Sequence, residues 1–210
     1  QEIWERNKKS TQLSINGRLD WQRTLTRQQL RARLAVLYNR SGTNLVAAVV
    51  RPAAIKCVGV VSVSGFISDS VTYRYYPTSK DEAHYLVGCL NSNVVNQNIK
   101  PYQTQGLWGE RDIHRRPFEV CSIPRFDPKN PLHIKIAAIA AQAERRLKRW
   151  LAMIGGTVAQ ARATARGIVR HERAQLDDLV AQLLAQSQLS THTARKRHRF
   201  NPHDMLSFLL

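Results

Sequence analysis

Acidic residues are scarce in this sequence. Asp and Glu number 15 against 32 Lys and Arg, a formal net charge of +17 over 210 residues. So few carboxylates argue against paired-acid hydrolysis and against a multi-acid magnesium site. Cysteine is scarcer: Cys57, Cys89 and Cys121 are odd in number and far apart. That speaks against a disulfide framework or a CxxC zinc site, and for a reducing compartment, the cytoplasm. No apolar run reaches the roughly 18 residues of a membrane span. The glycines are scattered, and neither a P-loop nor a GxGxxG after a strand occurs, so no phosphate cradle is expected. HExxH is missing. The seven His, at 84, 114, 133, 171, 192, 198 and 203, show no metal-like spacing with Cys and read as dispersed surface residues. The start, QEIWERNKKS, is polar and lacks Met; it reads as no secretory leader, and as a fragment or a trimmed chain.

What is present is a core-forming composition under an excess of positive charge. Hydrophobic residues make up 43%, too many for a disordered polycation. The surplus points to a polyanion, most simply nucleic acid. It is unevenly spread. Residues 1–40 hold nine cations and three acids, and no acid occurs between Asp20 and Asp69 while seven cations do.

Four segments follow from the pattern. Residues 1–30 form a basic N-terminal segment without a firm period. Residues 31–130 form a β-rich domain with a long loop at 101–130. Residues 131–186 form a helical hairpin, and 187–210 a flexible basic tail. The expected fold class is α+β: a small β-rich domain with short helices, then a long antiparallel helical hairpin.

Local signals support this division. Leu34, Val36 and Tyr38 alternate with Arg33, Ala35 and Leu37, as a strand requires. Ser41-Gly42-Thr43-Asn44 is a turn cluster. Further strands are expected at Leu45–Val50, Cys57–Val63 and 71–76. Ser79 and Glu82 make a capping box opening a helix over 80–91, and a second short helix covers 92–100. Asn130-Pro131 opens the hairpin, with Asn as cap and Pro in the first turn. Leu132, Ile136, Ile139, Ala143, Leu147, Trp150 and Ile154 form one apolar stripe. Gly155-Gly156 breaks the helix, and Thr157 caps a second one running to about residue 186. Apolar surface left over would need another domain or a second copy.

The loop at 101–130 is too long to be a simple connection in a compact protein, and such loops are usually functional. It is rich in Arg, Gln, His and Lys, the side chains that reach base edges and phosphates. A structural Pro/Gly connection carrying solvated charges is the other reading. Trp108 and Phe118 anchor the loop in the core or stack on bases.

Several short runs carry a resemblance. They are Tyr38-Asn-Arg-Ser-Gly-Thr-Asn-Leu45 followed by 47–50, and Tyr85-Leu-Val-Gly-Cys-Leu-Asn-Ser92. Gly106-Leu-Trp-Gly-Glu-Arg-Asp-Ile-His-Arg-Arg-Pro-Phe-Glu119, the run from Ile123 to His133, and the helix over 165–184 complete the set. In order and spacing they resemble the C-terminal specificity domain of TaqI-like adenine-specific DNA methyltransferases of restriction-modification and phage-defence systems, over about residues 30–186. The resemblance implies a target-recognition domain reading duplex DNA for a catalytic domain that binds S-adenosylmethionine and methylates a flipped adenine. That domain would lie elsewhere in the parent chain or on a partner subunit. The base-holding Asn/Asp-Pro-Pro-aromatic motif is not in this chain; Asn201-Pro202-His203-Asp204 lacks its second Pro and its aromatic residue. No catalytic residue, metal site or cofactor is therefore assigned to this chain.

On this reading Arg40, Asn44, Gln103, Gln105, Arg111 and His114 are candidates for base contact, and Lys100, Arg115 and Arg116 for phosphates. Arg suits a bidentate contact with guanine, and Asn or Gln one with adenine. Arg111 has an alternative role, pairing with Glu110, Asp112 or Glu119 to lock the loop. A different class remains open, an RNA-binding or ribosome-associated basic protein. A helical scaffold dimerising through 132–186 is a third.

Overall fold

The computed structural model describes residues 2–8, 14–52, 57–58, 61–63, 65–69, 71–107, 109–151 and 157–193. Its class is mixed α+β, 56% helix and 11% strand. No helix among the described residues is long and apolar enough to cross a membrane.

The sheet is built from β1 (Ala35–Asn39), β2 (Ala47–Val50) and β5 (Thr72–Tyr75), in the antiparallel order β2-β1-β5. The expected alternation holds in part: Val36 and Tyr38 are buried and Leu37 is half-buried, but Ala35, expected on the other face, is buried as well, and Leu34 is only half-buried. Val36 pairs with Val49 on one side and Tyr75 on the other. Tyr38 stacks on its partner Tyr73 with ring centroids 5.2 Å apart. Between β2 and β5, Cys57–Val58 (β3) and Val61–Ser62 (β4) pair antiparallel with each other. The single strand expected at Cys57–Val63 is thus two short strands folded on each other.

Helix α3 (Lys80–Asn91) starts where its cap predicts, with Ser79 Oγ accepting from the Glu82 N–H at 3.0 Å. At its far end Asn91 accepts from Ala47 N–H and donates to the Ala47 carbonyl, both at 2.8 Å. This side-chain pairing occupies backbone groups of β2, an edge strand otherwise open to association. Helix α4 (Asn93–Ile99) follows and passes into a 3-10 turn at Lys100–Tyr102.

The hairpin helices share the core of the sheet. Helix α6 (Pro131–Leu151) is capped by Asn130, whose Oδ1 accepts from the Leu132 N–H at 2.9 Å. The second hairpin helix is interrupted, contrary to expectation, into α7 (Val158–Ile168) and α8 (Arg170–Thr193). Val169 leaves helical geometry at the junction (φ −103°, ψ 24°) and is buried there. Thr157 caps α7 in a reciprocal capping box with Gln160. The Gly155-Gly156 break lies outside the described residues. Helix α8 also runs past residue 186, into the segment expected to be tail; residues 194–210 lie outside the described residues.

Arg146 meets Glu172, while Ala140 and Leu176 meet around Gly88, so α6 and α8 run antiparallel with α3 packed across them. One continuous core runs from Val36, Tyr38 and Ala47 through Tyr85, Leu90, Val95 and Ile113 to Ile136, Leu179 and Leu183. The first part of the α6 stripe is covered by α3 and α8. From residue 141 onward no described residue of α6 is buried.

The N-terminal segment holds α1 (Glu2–Asn7), α2 (Ile15–Leu19) and a 3-10 turn at Trp21–Arg23. Asp20 then accepts from the backbone of Leu25 and Thr26. The buried Arg74 on β5 reaches back to the Thr24 carbonyl and to Ser68 Oγ. Gln28 brackets Ser68, donating to its carbonyl at 2.7 Å and accepting from its N–H at 2.8 Å.

Candidate nucleic-acid interface

Three loops meet at the end of the sheet where β1 stops and β2 begins. The first is the turn at residues 40–46. Asn39 organises it from within: its Nδ2 donates to the carbonyls of Ser41 and Asn44, and its Oδ1 accepts from Val46 N–H. Gly42 has φ +139°, a conformation that disfavours any side chain.

The second is a two-stranded ribbon, β6 (Gln105–Gly106) with β7 (Gly109–Glu110), inside the segment expected to be irregular. It lies against the first turn: a Cβ on Gly109 would stand 3.0 Å from Thr43 Oγ1. Leu107 at its tip is 92% exposed.

The third runs from 111 to 115 into α5 (Arg116–Cys121), a short helix also not expected. Asp112 and His114 both have positive φ, 57° and 43°. Asp and His tolerate this region better than most residues, at a cost of about 1–3 kcal/mol each. Neighbouring contacts hold them there. Ile113 between them is fully buried. His114 N–H donates to the Arg40 carbonyl at 2.9 Å, and the Tyr38 hydroxyl donates to the His114 carbonyl at 3.1 Å. The Thr104 hydroxyl donates to the Asp112 carboxylate, holding it below the ordinary carboxylate range.

The candidate residues divide on this geometry. Arg40, Asn44, Gln105 and Arg111 are exposed around the loop cluster. Arg40 Nε donates to His114 Nδ1 at 3.3 Å, and Arg111 lies across the ribbon backbone, so close to Gly106 that a Cβ there would overlap it. Asn44 Oδ1 accepts from Asn96 at 3.1 Å, which anchors its amide to α4.

Gln103 is placed otherwise than expected. It is 7% exposed, and its amide N–H groups go to the carbonyls of Gly42 (3.0 Å) and Arg111 (2.9 Å). It clamps the first loop to the third and presents nothing to a ligand. His114 is likewise a positioning residue, with Nδ1 on Arg40 and Tyr73 and Nε2 on Asp112.

Lys100, Arg115 and Arg116 are half-buried nearby. Arg115 pairs with Glu119 at 3.3 Å, and Arg116 has Nη1 buried without a partner among the described residues. Of the acids weighed as partners for Arg111, Asp112 is engaged by Thr104 and His114 and Glu119 by Arg115. Phe118 packs at 6.1 Å from the buried Tyr38 ring and is an anchor; Trp108 lies outside the described residues.

Sequence reading missed Asn39, Thr104 and Ile113 as the parts that shape the cluster. Asn39 had a usable signal, since Asn before a Gly-containing turn bonds the backbone ahead of it. Burial pushes the Cys89 thiol up to about 12 and that of Cys121 up to about 11.

Comparison with protein-family models, with curated proteins and with solved structures finds no match to this chain.

Proposed function

We propose that this chain is the DNA target-recognition module of an adenine-specific DNA methyltransferase of a restriction-modification or phage-defence system, acting in the cytoplasm. It reads duplex sequence for a catalytic domain that binds S-adenosylmethionine and is not part of these residues. The observation that carries the reading is the loop cluster itself. Loops from two distant stretches of sequence, 40–46 and 105–115, converge with Arg40, Gln105 and Arg111 exposed, on supports fixed by Gln103, His114 and Ile113. Preorganised loops on a rigid scaffold suit sequence reading, because little conformational entropy is lost on binding. The ordered motif resemblance supports the same assignment.

In this mechanism Arg111 offers two parallel N–H groups to a guanine edge, and Gln105 offers a donor and an acceptor to adenine. Lys100, Arg115 and Arg116 face phosphates and supply affinity that falls steeply with salt.

The test is selection of bound duplexes from a random pool at about 0.15 M salt, near physiological ionic strength, followed by sequencing. The expected result is a short recovered motif that relaxes at one position on Arg111→Ala and at another on Gln105→Ala. Recovery of no motif, or preference for structured RNA over every duplex, would overturn the assignment.

A further inference from the structure

A second feature lies at the opposite end of the sheet. Strand β1 runs from Ala35 to Asn39, and the loop cluster begins after Asn39. Before Ala35, around the end of β2 and the turn from β5 into α3, the surface opens into a cleft of about 1090 Å³. Arg27, Arg33, Arg51 and Lys80 line it, with Gln29 and Tyr76 among the other side chains, and no carboxylate is among its lining residues. All four cations are exposed, and none forms an ion pair with a described residue.

The walls are fixed. Arg74 bonds the Thr24 carbonyl, Gln28 brackets Ser68, and Gln29 N–H donates to the Tyr76 hydroxyl at 2.9 Å. Of the nearby acids on α3, Glu82 is taken up by the Tyr75 hydroxyl and by Thr78. Asp81 is exposed beside Lys80 and is outside the cleft lining. Four like charges around one concavity repel one another unless an anion enters, and a concave wall of one sign focuses the field on it.

The geometry points to this cleft as a second docking site for duplex DNA, one that grips the phosphate backbone and reads no bases. The identity of the polyanion rests on the function proposed above; the cleft and its charge do not. Arg33 and Arg40 flank strand β1 (Ala35–Asn39) seven residues apart, a span of at most about 23 Å at 3.3 Å per residue. At 3.4 Å per base pair that is about seven base pairs, so one duplex is long enough to engage both ends of the sheet.

The experiment measures log Kobs against log salt for a random-sequence duplex. It compares the wild-type chain with the triple variant Arg27→Gln/Arg33→Gln/Arg51→Gln. A charge-matched control carries Lys129→Gln/Lys135→Gln/Arg170→Gln, all exposed and outside the cleft, and circular dichroism verifies folding of each. Each phosphate contact contributes about 0.9 to the slope. The cleft variant is expected to lose about 2–3 units of slope, with the control losing less than one. The motif recovered by selection should be unchanged.

A slope equal to that of the control, in a wild-type chain that still selects a motif, would overturn the cleft and leave the recognition reading standing. A slope loss without any motif would support the cleft and sink the sequence-reading assignment. A slope loss seen on structured RNA and not on duplex would overturn both, as would no binding to duplex at all.

Discussion

The carboxylate of Glu172, which has no exposed surface, accepts from Nη1 of Arg146 at 3.0 and 3.3 Å, tying the start of α8 to the middle of α6. Burial presses the Glu172 pKa upward. Its local backbone N–H and the Arg146 guanidinium outweigh that and hold it below the ordinary glutamate value. Removing Arg146 leaves a buried carboxylate without its cation, and the Arg146 side chain is itself half exposed, so the loss is less than for a wholly buried pair. Arg146→Ala is expected to cost about 1–3 kcal/mol at neutral pH. Stability from this lowered pKa is present above the unfolded value of about 4.3 and is lost as pH falls through the folded one. Urea unfolding of the wild type and the variant should therefore differ at neutral pH and converge in acid; a constant gap would contradict the account.

Two glycines in helices should respond with opposite sign. A Cβ on Gly88 would lie 2.9 Å from Ile136 Cγ2 and 3.2 Å from both Ala140 Cβ and Leu176 Cδ2, where α3 crosses α6 and α8. Gly88→Ala is expected to lose about 1–2 kcal/mol net, overpacking outweighing the gain in helix propensity. Gly167 has nothing within 4 Å of the same position, so Gly167→Ala is expected to gain up to about 1 kcal/mol. Thermal melting reads both, at about 2–4 °C per kcal/mol for a chain of this size.

His133 gives the fold a pH dependence near neutrality. It is 4% exposed, its ring lies 4.6 Å from the Tyr85 ring at a tilt of 33°, and its Nδ1 accepts from the Asp127 N–H at 3.0 Å. Burial lowers its pKa, with Asp127 opposing. The neutral form is the folded form, so the stabilisation is complete above the free value of about 6.5 and declines as pH falls below it. Stability should drop as pH falls below about 6.5, and the drop should be smaller in His133→Asn. Equal pH slopes in the two chains would assign the effect to other groups.

Gln103 and Gln105 stand two residues apart and should fail in different ways. Gln103→Ala leaves the carbonyls of Gly42 and Arg111 without their donor, at a cost of about 1–3 kcal/mol. Amide hydrogen exchange across residues 104–112 should accelerate. Gln105→Ala removes an exposed side chain and should stay within about 0.5 kcal/mol of wild type while relaxing base preference. Unchanged exchange in the Gln103 variant would refute the clamp.

Much of the secondary structure was legible because its signals are local. Ser79 ahead of α3, Asn130-Pro131 ahead of α6 and Thr157 ahead of α7 satisfy free backbone groups within one turn. Alternation in β1 and the aromatic, β-branched run of β5 needed only neighbours two residues away. The interruption at Val169 was not legible, since the apolar stripe continues across it. Helix α5 was hidden among Pro and charged residues.

The sequence by itself determined the α+β class, the positions of α3 and α6, the three strands of the sheet, and the excess of positive charge. Only the tertiary structure decided which polar side chains serve the protein and which face outward. Gln103 bonds Gly42 across 61 residues, Arg74 bonds Thr24 across 50, and Glu172 bonds Arg146 across 26. A buried polar group takes whatever partner the fold brings within 3 Å or so. Its role is therefore set by the meeting of distant segments and leaves no mark in the residues beside it.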